Sequence, residues 1–167
     1  MQHTAVAQEP GTTRAGAGYD PDMTDAGTRD VAGDGSVVLR DERCAFRYTR
    51  PRPGVVHVTI TGHDRGQLGS APLDELRVDI VRYPPIELFV DVSEAVGASV
   101  PVQDEWTAWF AANRPALTAV HILAPGKYLH FTAEVMKLFS RTGDLIRVYL
   151  DPAAFAERLR ATAAAAG

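Results

Sequence analysis

The stretch Ile86–Phe110, IELFVDVSEAVGASVPVQDEWTAWF, decides the fold. Its first part, Ile86–Val92, is apolar on both faces apart from Glu87 up to the closing Asp91. A strand of that kind is covered on both sides, which predicts the centre of a sheet. Ser93–Ser99 is a run of small residues and reads as a loop. From Val100 onward, Val102, Trp106, Trp109, Phe110 and Asn113 recur at helical spacing. Asp104 and Glu105 suit the positive N-terminal end of that helix, and Pro115 stops it.

Upstream, Cys44–Arg50 and Val55–Gly62 are alternating runs joined by Pro51–Gly54, which predicts an antiparallel hairpin. His63–Gly69 reads as a loop. A helix follows, with Ser70 as N-cap and Pro72 in its first turn. Leu73, Leu76, Ile80 and Val81 form its inward stripe, and Tyr83-Pro84-Pro85 ends it. Downstream, Thr118–Ala124 is another buried strand, and Lys127–Arg141 a helix with Tyr128 and Phe131 facing in. Leu145–Leu150 is a short strand. Asp151 caps a last helix that begins at Pro152. Strands alternating with helices imply parallel crossovers, and the opening hairpin makes the sheet mixed.

Charge is unevenly spread. Residues 1–35 carry six acids and two bases, a net of -4, while the rest carries fifteen of each. The neutral body offers no electrostatic footprint for nucleic acid. Residues 1–35 also hold few large apolar groups, so a disordered acidic tail is expected there. An ordered domain is expected over 36–160, with a frayed tail at 161–167. The single cysteine, Cys44, excludes an internal disulfide and suits a reducing compartment. With no signal-peptide pattern and no apolar run near the ~18 residues of a spanning helix, the reading is a cytoplasmic protein without a membrane span.

The element order carries a resemblance, together with three landmarks: VDVSEAVGASV (91–100 with the preceding Val90), HILA (121–124) and YLDPAAFAERL (149–159). The stretch from Cys44 to Leu159 resembles the STAS domain of anti-sigma-factor antagonists, and more closely its diverged SpoIIAA-like relatives. The resemblance implies an α/β fold with a mixed sheet of about five strands and about four helices. It also implies a non-enzymatic interaction domain in bacterial signalling, whose partner is an anti-sigma-factor-like kinase or another signalling protein. Some relatives have a hydrophobic cavity, so a small hydrophobic or lipid-like ligand is the alternative. In the antagonists an Asp-Ser-Ser-Gly loop follows the third strand, and a serine there is phosphorylated. Asp91 matches that aspartate and Ser99 is the counterpart of the serine, with Ser93 as a second candidate. The chain departs from the pattern at Gly97-Ala98-Ser99-Val100, which has no acid before the serine and no glycine after it.

Each candidate also has a plain structural account. Ser99 suits an N-cap whose oxygen accepts a backbone N–H. Asp91 suits an Asx turn, although it ends its strand at the edge where α/β sheets bind ligands. The expected partner-binding face is Asp91, Glu94, Gly97, Ser99 and Val100, running into the helix. Trp106, Trp109, His121 and Tyr128 could line a pocket, but aromatic residues at helical spacing usually form core. The five histidines show no HxH or HExxH spacing, so no metal or other cofactor is expected. His57 and His121 fall in strands and read as satisfied structural histidines. No catalytic set is present, and Cys44 lacks a local His–Asp pattern.

Overall fold

The structure, a computed structural model, describes residues 27–126 and 143–165. Among the described residues seven strands form one sheet, and their spatial order follows the chain. β1 (Thr28–Val31), β2 (Val37–Arg40), β3 (Cys44–Arg52) and β4 (Val55–Asp64) are successively antiparallel. β4, β5 (Ile86–Ala98), β6 (Leu117–Leu123) and β7 (Ile146–Tyr149) are parallel. The α-helices among the described residues are α1 (Ala71–Arg82), α2 (Val100–Asn113) and α3 (Pro152–Ala164). The helix expected over 127–141 lies outside the described residues.

The sheet therefore has seven strands rather than about five. β1 and β2 supply the difference. They are only four residues long, and β1 is exposed throughout, so neither leaves a strong hydrophobic period in the sequence. Order reaches back at least to Thr28, inside the segment expected to be disordered. Backbone pairing to β2 and an Arg29–Glu75 ion pair hold this edge. At the other end, α3 runs to Ala164 and buries Thr162, inside the segment expected to fray.

The hairpin and crossovers follow from local chemistry. Pro53-Gly54 joins β3 to β4, with Arg52 opposite Val55 and Gly54 at φ +80°, which glycine adopts without strain. α1 carries Pro72 in its first turn and ends at Tyr83. Ser70 is its N-cap residue, but its hydroxyl donates to the Asp74 carboxylate (2.7 Å) rather than capping a backbone N–H. Asp151 does cap α3, accepting from the Ala153 N–H at 2.9 Å.

Two apolar layers sandwich the sheet. On one face α1 and α2 bury Leu73, Leu76, Val102, Trp106 and Phe110 against Phe46, Tyr48, Val58, Leu88, Val90 and Val120. On the other, α3 packs Phe155 against Val55, Phe89 and Leu123. β5 contributes to both layers, as a two-faced apolar strand must. Ile80 packs against the first layer, but Val81 of the expected α1 stripe is 81% exposed; Glu75 and Asp79 occupy the inward turn instead. Arg50 of β3 explains their burial. Its guanidinium grips Asp79 with two bonds of 2.8 Å and donates to Glu75 at 3.0 Å. The Tyr48 hydroxyl, fully buried, donates to the Pro72 carbonyl at 2.8 Å.

Candidate functional site

The segment expected to be a loop, Ser93–Ser99, is a strand as far as Ala98. β4 continues through Gly62, His63 and Asp64, which gives the second half of β5 a pairing partner. Thr61 lies opposite Glu94, Gly62 opposite Ala95, His63 opposite Gly97 and Asp64 opposite Ala98, with two register shifts. Such irregularities bend and twist a strand. The Ser99 N–H then donates to the Asp64 carbonyl (2.9 Å), and α2 starts at the next residue. Gly62 makes the β4 extension possible. It has φ +78°, and a Cβ there would lie 2.0 Å from the Arg43 carbonyl oxygen.

The sequence-predicted residues of this segment separate into an outer and an inner set. Asp91 Oδ1 accepts from the Ser93 N–H (2.9 Å) and hydroxyl (2.6 Å), an Asx-type arrangement. Ser93 and Glu94 are exposed, and Gly97 is half-buried. Val96 and Val100 are large apolar side chains left 70% and 67% exposed. Ser99 occupies the N-cap position of α2 without making the side-chain cap expected of it. Its hydroxyl oxygen is buried and has no hydrogen-bond partner among the described residues.

Beneath α2 lies an apolar pocket of about 100 Å³ at the carboxyl ends of β4, β5 and β6. Phe46, Val90 and Ile122 floor it, and Val102, Trp106 and Phe110 roof it. The one charged residue in its wall among the described residues is Asp64, which is 6% exposed. Asp64 Oδ1 accepts the Gly66 N–H at 2.8 Å, whereas Oδ2 has no hydrogen bond among the described residues. Burial raises the Asp64 carboxyl above its ordinary value against the pull of that N–H, and the charge of Asp41 adds to the rise.

The four residues expected to share a pocket do not converge. Trp106 lines the one described above and stacks on Phe46 with ring centroids 6.3 Å apart. Trp109 is buried core, its indole N–H without a partner among the described residues. Tyr128 lies outside the described residues. His121 is on the opposite face of the sheet. It is fully buried, stacks on Phe89 at 4.4 Å, and bridges Glu87 (Nε2 to Oε1, 2.8 Å) and the Tyr149 hydroxyl (Nδ1, 2.9 Å). Glu87 Oε1 also accepts from Arg158 (2.9 Å) and Thr162 (3.3 Å) of α3. Burial works to raise the Glu87 carboxyl, but the hydrogen bonds from Arg158 and His121 hold it below its usual value. Burial lowers His121 despite its carboxylate neighbour, so the imidazole is neutral near pH 7. Glu87 also borders an open polar hollow with Arg52 and Thr118, and the cluster joins α3 to the sheet. The second strand histidine, His57, is not satisfied as expected, because its buried Nε2 has no partner among the described residues.

Asp64 is the residue that sequence reasoning missed. Gly62 and Gly66 flank it and make HDRG read as a turn in the sequence. Among the described residues no group of three His, Cys, Asp or Glu side chains converges as a metal site would require, and no helix is long and apolar enough to cross a membrane.

No protein-family model matches the chain, and no curated protein matches it significantly. Among solved structures, an uncharacterised protein of the DUF3478 family with a SpoIIAA-like fold, from Shewanella loihica PV-4, superposes with a TM-score of 0.51. The match covers 70% of this chain and 94% of that one at 16% identity, and it shows that this chain has a SpoIIAA-like fold. An anti-sigma factor antagonist from Mycobacterium paratuberculosis aligns over 78% of this chain and 99% of its own at 14% identity. Its TM-score of 0.46 is too low to support an argument about this chain.

Proposed function

We propose that the chain is a non-enzymatic regulatory domain that docks a partner protein on the surface formed by the second half of β5 and the first turn of α2. The observation that carries this reading is the exposure of Val96 and Val100 on a segment held in place by β4. They alternate with Ala95, Gly97, Ala98 and Val102, which line the pocket, so one edge of the fold presents an apolar rim beside an apolar hollow. Exposed apolar groups around a concavity on a rigid support are typical of docking surfaces. The resemblance to signalling domains favours a signalling protein as the partner.

Of the two candidate serines, Ser93 is the one at which added charge would switch this surface. Its hydroxyl is exposed, while that of Ser99 is buried. A phosphoryl group on Ser93 would displace its bond to Asp91 and set negative charge beside Asp91 and Glu94, which opposes docking.

A lipid-like ligand is the weaker reading. A pocket of about 100 Å³, smaller than the cavity of about 150 Å³ that admits benzene, has no room for an acyl chain.

The test is quantitative affinity capture from cells of the native host, comparing the wild-type chain with Val96→Asp/Val100→Asp. Both positions are exposed, so the fold should survive. A partner recovered at least tenfold less with the variant supports the surface. Equal recovery places the interface elsewhere.

A further inference from the structure

We propose that the pocket beneath α2 is a binding site for a small primary amine with a compact hydrocarbon body, and that Asp64 is the counter-ion that selects it. This goes beyond the docking of a protein partner and rests on a different observation.

Three features of the pocket define the ligand. Its volume, about 100 Å³, is two-thirds of an engineered cavity that admits benzene, so it takes a group of about five carbons and no acyl chain. Its walls are apolar, with Trp106 and Phe110 on the helix side and Val90 and Ile122 on the sheet side. Its single charge among the described residues is Asp64, more than nine-tenths buried, with Oδ2 lacking a hydrogen-bond donor among them.

A carboxylate held in an apolar wall with half of its acceptor capacity unused is costly until a donor arrives, and a cationic donor offsets most of that cost. Among the described residues no lysine or arginine lines the pocket to supply one. Asp41 adds negative potential at Asp64, opposed in part by His63, and the two carboxylates together disfavour an anionic ligand. The indole of Trp106 in the same wall is the aromatic type that best accepts an ammonium group over its face. Together these exclude fatty acids and phosphates and favour an alkylammonium ion, with its chain among Val90, Ile122 and Phe110 and its nitrogen on Asp64 Oδ2.

The probes are isoamylamine and its neutral counterpart isoamyl alcohol, titrated into the full chain and followed by tryptophan fluorescence and calorimetry. The amine should bind saturably and at least tenfold more tightly than the alcohol. Asp64→Asn keeps an acceptor for the Gly66 N–H. It should weaken amine binding at least tenfold and leave alcohol binding within twofold. Should that variant fail to fold, the carboxyl of Asp64 in the wild-type chain can be titrated by NMR with and without amine, and bound amine should lower its midpoint. Absence of saturable amine binding, equal affinity for amine and alcohol, unchanged amine binding by Asp64→Asn, or an unmoved midpoint would each overturn the proposal.

Discussion

His121 Nε2 lies 2.8 Å from Glu87 Oε1, with the imidazole wholly buried between the sheet and α3. The carboxylate can only accept, so Nε2 carries the proton and Nδ1 accepts from the Tyr149 hydroxyl at 2.9 Å. Two side chains on neighbouring strands thus anchor the last helix through Arg158 and Thr162. Glu87→Ala would leave His121 and Arg158 without their acceptor. It should cost about 3 kcal/mol in urea denaturation, as for one partner removed from a buried charged cluster. Tyr149→Phe removes one neutral bond and should cost only about 1 kcal/mol.

The histidines also set a pH dependence. Burial lowers both His57 and His121 from their ordinary value near 6.5, against the pull of Asp91 and Glu87 respectively. The unfolded chain therefore binds more protons than the folded one just below pH 6.5, and stability falls as pH drops from 6.5 towards the folded values. His57→Leu removes a buried ring nitrogen that has no partner among the described residues. It should change stability by less than about 1 kcal/mol at pH 7.5. At pH 5.5 it should be the more stable form, and urea melts at the two pH values check this.

Arg50 holds two buried carboxylates, Glu75 and Asp79, and through Glu75 the edge strand β1. Arg50→Ala strands both, at an expected cost of about 3–5 kcal/mol. Hydrogen exchange should rise first in β1, whose Arg29 shares Glu75.

Gly62 is conformationally constrained in a way that Gly54 is not. Both have φ near +80°, but a Cβ at Gly62 strikes the Arg43 backbone, whereas at Gly54 the nearest neighbour is 3.7 Å away. Gly62→Ala should lower stability by more than about 2 kcal/mol and loosen the pairing of His63 with Gly97. Gly54→Asn should cost under about 1 kcal/mol, because asparagine tolerates the left-handed region. Thermal unfolding of the two variants separates them.

Cys44 should be inert in the native state. Burial, with the negative charges of Asp64 and Asp41, pushes its thiol up to about 12, so almost no thiolate exists at neutral pH. Iodoacetamide should label it only in denaturant.

The core elements were legible because their signals are local and redundant. Ile86–Val92 is apolar on both faces, Pro-Gly marks the hairpin, and Asp151-Pro152 opens the last helix. What escaped was set by pairing rather than by local preference. Ser93–Ala98 has loop-like composition, yet becomes a strand because β4 is long enough to pair with it. Asp64 owes its burial to the same extension. Trp106 and His121 both read as aromatic core, but Trp106 sits on α2, which covers one face of the sheet, whereas His121 of β6 stacks on Phe89 at the other face. The Glu87–His121 contact did leave a trace: each is the odd polar residue in a buried strand, and such residues need a partner. Their match required the register of β5 against β6, in which Phe89 faces His121.

The docking surface is the central claim, and hydrogen–deuterium exchange of the chain with and without its captured partner tests it most directly. Protection on binding should concentrate in residues 93–103, with α3 and β1 unchanged. Protection confined to α3 or β1, with 93–103 exchanging as in the free chain, would contradict it.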